Sequence, residues 1–169
     1  MEMTAVFAAQ LEREVARSRR ALERVPDGLR EWRPHPKSMP FGYLATLVAT
    51  MPAWIAMMIG QDSLDLAPKD GAGYKPPSPQ NAAELVAALE DAAAKARAAL
   101  AGTGDEHLMK AWQLQVGGRV VAEDPRHVVI EDTFAHLAHH RGQLTVYLRL
   151  NDAPVPALFG PSADDTSFG

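Results

Sequence analysis

Long runs in which apolar residues return every three or four positions, broken only at clusters of proline and glycine, constrain this chain more than any other feature. They leave helices as its main building block. The first run, about Thr4 to Val25, sets Val6, Phe7, Gln10, Leu11, Glu14, Val15, Ser18 and Leu22 along one side, and Pro26-Asp27-Gly28 ends it. The second, about Met39 to Gly60, takes Ser38 as its N-cap and carries Pro40 in its first turn. Pro52 lies deep inside it, leaves the Val48 carbonyl without its donor and predicts a kink. The third, about Asn81 to Leu100, aligns Leu85, Leu89, Ala92, Ala96 and Leu100, and the fourth runs from about Pro125 to Asn151.

The connections are less regular. Gln61 to Gln80 holds four prolines and two glycines, and loops of that length tend to be functional or mobile. Between Thr103 and Pro125, Trp112, Leu114 and Val116 alternate before Gly117-Gly118, which predicts a short extended or hairpin-like excursion. The expected fold is therefore all-α, a single four-helix-bundle domain over residues 1–169.

Composition narrows the chemistry. A chain of 169 residues buries a real core without cross-links, and the lack of cysteine excludes thiolate ligands, cysteine nucleophiles and disulfides. A formal net charge of -4 argues against a nucleic-acid surface, the arginines being scattered apart from Arg17, Arg19 and Arg20. The first twenty residues do not resemble a secretory signal, and the apolar run LATLVATMPAWIAMMI reads as a buried core helix rather than a membrane span. The expectation is a cytoplasmic protein with no membrane and no nucleic acid among its partners.

The segment FAHLAHHRGQ, Phe134 to Gln143, places three of the six histidines within five positions. At about 100° per residue, His136 and His140 share a helix face one turn apart, while His139 falls toward the rim. Ile130, Phe134, Leu137, Leu144 and Leu148 form the apolar stripe, with His140 inside its arc and His136 at its edge. Two imidazoles at that spacing can reach one divalent ion, yet they supply only half a tetrahedral shell. The other reading is a hydrogen-bonded core histidine beside a half-exposed one. Asp132, one turn before His136, could reach the same edge. Arg141 reads as a helix-surface residue, with an ion pair to a carboxylate as the alternative, Tyr147 as a core tyrosine able to donate a proton nearby, and Gly142 as a point of close helix contact.

The runs AHLAHHRGQLTVYLRLNDAPVPALFGPSADD and HPKSMPFGYLATLVATMPAW resemble the C-terminal signature and the second helix of the DinB-like, YfiT-like family, and the helix order fits over essentially the whole chain. The resemblance implies an antiparallel, frequently dimeric bundle with a divalent metal, such as zinc or nickel, held by three histidines. One comes from the second helix and two, spaced i, i+4, from the last. The late pair falls on His136 and His140; the early ligand falls on Leu47, which cannot ligate. A two-histidine remnant binds a transition metal weakly unless another group completes the shell.

Two functions follow from the resemblance. One is a stress-associated or small-molecule-binding module, a homodimer as the resemblance implies, with a degenerate metal site. The alternative is a divalent-metal-dependent thiol S-transferase or related enzyme, in which His136 and His140 hold the ion, a low-molecular-weight thiol is the cosubstrate, and Arg141 or Tyr147 supports.

Overall fold

The computed structural model of the chain describes residues 2–69, 71 and 77–167. Among them are six helices and three strands: α1 (Met3–Leu22), α2 (Phe41–Thr50), α3 (Pro52–Gly60), β1 (Ser63–Asp65), α4 (Ala82–Ala101), α5 (Asp105–Leu108), β2 (Ala111–Val116), β3 (Arg119–Pro125) and α6 (Arg126–Leu150). The apolar stripes of α1, α2, α3, α4 and α6 meet in one core that includes Leu11, Leu22, Leu44, Ile55, Leu89, Ile130, Leu137 and Leu148.

Local chemistry fixes where each long helix starts. The amides of Met3 donate to both oxygens of Asp105 at 3.0 and 3.1 Å, so a carboxylate from α5 caps α1 across the fold. Asn81 caps α4 by accepting from Glu84 N at 2.9 Å, and Glu84 Oε2 accepts from Gln80 N at 2.8 Å. Ser38 does not cap α2. The first α2 amides instead reach backward, Phe41 N to Trp32 O at 2.8 Å and Gly42 N to Arg30 O at 2.9 Å. The expected kink at Pro52 is a full break: α2 and α3 meet at Met51 and are bent by 51°. No single helix among the described residues is long and apolar enough to cross a membrane.

The all-α expectation is corrected. β2 and β3 form an antiparallel hairpin closed by Gly117 and Gly118 with φ of +62° and +80°, the left-handed pair that a tight hairpin requires. β1, drawn from the expected 61–80 loop, adds in parallel to β2 with Leu64 opposite Leu114, giving a three-stranded mixed sheet. Residues 70 and 72–76 of that loop lie outside the described residues. Asp65 joins the two parts of the sheet by accepting from Gly117 N at 2.9 Å and Gly118 N at 2.7 Å. Val121 is an extra residue between the Leu114–Ala122 and Gln115–Val120 pairs, and this bulge bends the open edge of β3 away from straight pairing.

The sheet is tied to the helices by Arg126, which is fully buried at the start of α6. Its Nε donates to Met58 O at 2.8 Å, Nη1 to Ala111 O at 2.7 Å and Nη2 to Gln61 O at 3.3 Å, and it pairs with Asp62. One guanidinium thus satisfies carbonyls at the end of α3 and the start of β2. Arg126→Met removes the donor from the buried Met58 carbonyl and from the part-buried carbonyls of Ala111 and Gln61, and urea denaturation is expected to show a loss of about 2–4 kcal/mol; a change under about 0.5 kcal/mol would contradict this role.

Candidate functional site

The antiparallel register of α2–α3 against α6 builds the site. At one end the Tyr147 ring lies 5.6 Å from Phe41 and 5.4 Å from Trp32, and its hydroxyl donates to Met39 O at 3.1 Å. At the other end the Trp54 ring lies 5.7 Å from His136. With Tyr147 beside Phe41 and His136 beside Trp54, counting along the two antiparallel helices brings Leu47 opposite residues 141–143, within one turn of His140. Leu47 is half-buried.

The two histidines are bonded to each other. His140, 8% exposed, has its Nδ1 2.8 Å from Gln143 Oε1 and its Nε2 2.8 Å from His136 Nε2. With the amide oxygen as acceptor, His140 carries its proton on Nδ1 and leaves Nε2 to accept from the His136 Nε2–H. Their ring centroids are 4.6 Å apart, while His139 presents its ring edge-on to His140 at 5.2 Å and is exposed. His136 is exposed at the helix edge, and partial desolvation beside Trp54, then the neighbouring imidazoles of His140 and His139, pushes it below the ordinary histidine range.

Tested against a metal, this donor set is incomplete. Two imidazole nitrogens at about 2.0–2.1 Å from one ion stand about 2.9–3.4 Å apart, so the pair is close to ligating separation. A third donor is lacking: among the described residues no three His, Asp or Glu side chains group to hold an ion. Asp132 is exposed on α6. Thr46 and Thr50 donate back to Gly42 O at 2.7 Å and Thr46 O at 2.8 Å, His107 bonds Ile59 O at 2.9 Å, and His35 accepts from Lys37 N in an exposed turn. Among the described residues, the side chains around the histidine pair do not complete a shell for a resident divalent ion.

The supporting residues are committed elsewhere. Arg141 is not a surface residue but fully buried. Its Nη2 lies 2.6 Å from Glu14 Oε2, and Nη1 donates to Ser18 Oγ at 3.2 Å. Tyr147 serves the core through Met39 O. Gly142, expected at a close helix contact, faces open space: a side chain there would meet nothing within 4 Å. The residues that sequence reasoning missed are Gln143, which orients His140, and Glu14, which anchors Arg141. Both were visible as polar residues one turn from a site histidine or inside an apolar stripe.

The C-terminal run that follows α6 is a structural clasp. Ser162 Oγ donates to Val155 O at 2.6 Å and accepts from the amides of Asp164 and Asp165, both at 3.1 Å. Those carboxylates turn back to Val155 N at 2.9 Å and Ala157 N at 3.0 Å. A sequence model described as the DinB superfamily matches residues 10–144. The chain belongs to the DinB superfamily. Among solved structures it is similar to a DinB-like protein from Bacillus cereus ATCC 10987, with 19% identity, a TM-score of 0.65, and coverage of 89% of this chain and 93% of that one. It is similar also to the DinB-like protein YjoA from Bacillus subtilis, with 16% identity, a TM-score of 0.65, and coverage of 86% and 92%. At these identities the likeness speaks to the fold alone. No curated protein matches in sequence.

In this DinB-superfamily protein the His136 imidazole is depressed, so the folded state binds a proton there less readily than the unfolded chain. The unfolded state then holds more protons, and stability falls as pH drops through 6.5, the unperturbed value, toward the folded midpoint. A histidine NMR titration is expected to give a His136 midpoint below 6.5, and His136→Gln is expected to flatten the stability slope across this window. A midpoint above 6.5 would contradict the assignment of partial desolvation as the dominant cause.

Proposed function

We propose that this DinB-superfamily protein is a non-catalytic module that binds a small molecule beside a degenerate metal site; its stress-associated role rests on the family resemblance. The observation that carries the reading is Leu47, half-buried on α2 within one turn of His140, at the position where the resemblance calls for the third histidine. Three further features support it. The two remaining imidazoles satisfy each other, Arg141 is taken up by Glu14, and Tyr147 by Met39 O. No group of the enzymatic reading is left poised for proton or charge transfer.

The thiol S-transferase reading has one specific support. His140 donates Nδ1–H to Gln143, the orientation in which a ligating imidazole presents Nε2 outward, and His136 Nε2 stands 2.8 Å from it. The scaffold therefore keeps a two-nitrogen pincer. What it lacks is an occupancy-grade donor set, and that is measurable.

Metal analysis of protein purified without a histidine tag is expected to find no stoichiometric divalent ion in the native chain. Uptake of zinc or nickel is expected in Leu47→His, with loss again when His140→Ala is added. Near-stoichiometric metal in the native protein, abolished by His140→Ala alone, would overturn the non-catalytic reading and revive the enzymatic one.

A further inference from the structure

The arginine run of α1 has a second use. Arg13, Arg17 and Arg20 fall within about 60° of one another on the helix, a basic stripe on a chain whose formal net charge is -4. At its middle, Glu14 bridges two guanidiniums: Oε1 lies 2.6 Å from Arg17 Nη1 and Oε2 lies 2.6 Å from Arg141 Nη2. Phe159 of the C-terminal segment covers both, with Arg17 Cζ 4.1 Å and Arg141 Cζ 5.6 Å from its ring centroid, and Arg17 Nε donates to Leu158 O at 3.2 Å.

Arg20 adds a third guanidinium one turn beyond Arg17. It is half-buried, forms no ion pair among the described residues, and its Nε is sealed from solvent without an acceptor. Arg17 and Arg141 on Glu14, with Arg20 one turn farther along α1, set three positive charges against one negative at a partly desolvated spot, where counter-ion screening is weakest. Burial and the charges of Arg17 and Arg20 weaken Arg141's hold on its proton, against the pull of Glu14. The cluster therefore lacks an anion rather than a cation.

We propose that the Arg17–Arg20–Arg141 cluster is a binding site for a phosphate-type oxyanion, lying on the α1 side of α6 and independent of the histidine pair. A dianion matches the excess charge. The planar guanidinium of Arg20 offers the forked donors that phosphate oxygens accept, and the half-exposed Arg17 supplies a second edge. Arg141 and Glu14, both buried, act as the fixed wall that holds the charge in place. The shared chemistry admits two sources, free inorganic phosphate and a small phosphomonoester.

The test is calorimetric titration of the full chain at constant ionic strength with inorganic phosphate and, separately, glycerol phosphate, with sodium chloride as the blank. Saturable binding of either is expected, the stronger ligand naming the source. Arg20→Gln is expected to weaken it on the order of tenfold, while Arg119→Gln on β3 leaves it unchanged. Thermal unfolding without phosphate checks that Arg20→Gln is folded; if it is not, Arg20→Lys, which keeps charge but not the fork, is expected to bind more weakly than the native chain. Heats no larger than the chloride blank, or equal affinity in the native and Arg20-substituted proteins, would overturn the proposal.

Discussion

The arrangement rests on the ion pair between Glu14 and Arg141, made between the first and last long helices at a separation of 2.6 Å with both residues buried. Burying two charges costs several kcal/mol per ion before their attraction is counted, so such a pair is poor ballast for stability and a strong constraint on geometry. Rotating α6 by one residue would carry the guanidinium out of reach of Glu14 and Ser18, leaving Glu14 with Arg17 alone and the Arg141 charge without its carboxylate. Because His140 precedes Arg141 directly, the same constraint directs the His140 ring. Arg17 and Phe159 then close the pair from outside and bind the C-terminal segment to the helices.

With α6 held in that rotation, the fate of the histidine pair follows from what α2 offers it. Leu47 brings no lone pair, so two imidazoles that stand near ligating distance meet each other instead. A neutral donor and acceptor satisfy one another without an ion, and Gln143 takes the remaining ring proton. The break at Pro52 belongs to the same design, since it tips Trp54 against the exposed face of His136.

Much of this was legible in the residues. The four periodic runs gave the long helices to within a few positions, Pro52 marked the α2–α3 break, and the 3.6-residue period put His136 and His140 on one face with His139 turned away. The alternation at Trp112, Leu114 and Val116 marked the hairpin. What stayed hidden depends on partners far along the chain. β1 is three residues long, and its strand character comes from pairing with Gln113, Leu114 and Gln115, not from its own sequence. Arg141 looked like a surface arginine because its partner lies 127 positions away, although its place between Leu137 and Leu144 in an apolar stripe, and that of Glu14 in another, carried the hint. Gly142 misled in the opposite sense, for a helical glycine often marks a close approach and here marks none.

The central claim is that His136 and His140 bond to each other through their Nε2 atoms rather than holding an ion. Long-range proton–nitrogen correlation spectra of the imidazoles, recorded before and after one equivalent of zinc, test it most directly. The account predicts a neutral His140 with its proton on Nδ1, a His136 proton on Nε2, and ring nitrogen resonances that do not move to a saturated bound state at one equivalent. Simultaneous loss of the His136 Nε2 proton and a stoichiometric shift of both Nε2 nitrogens would contradict it.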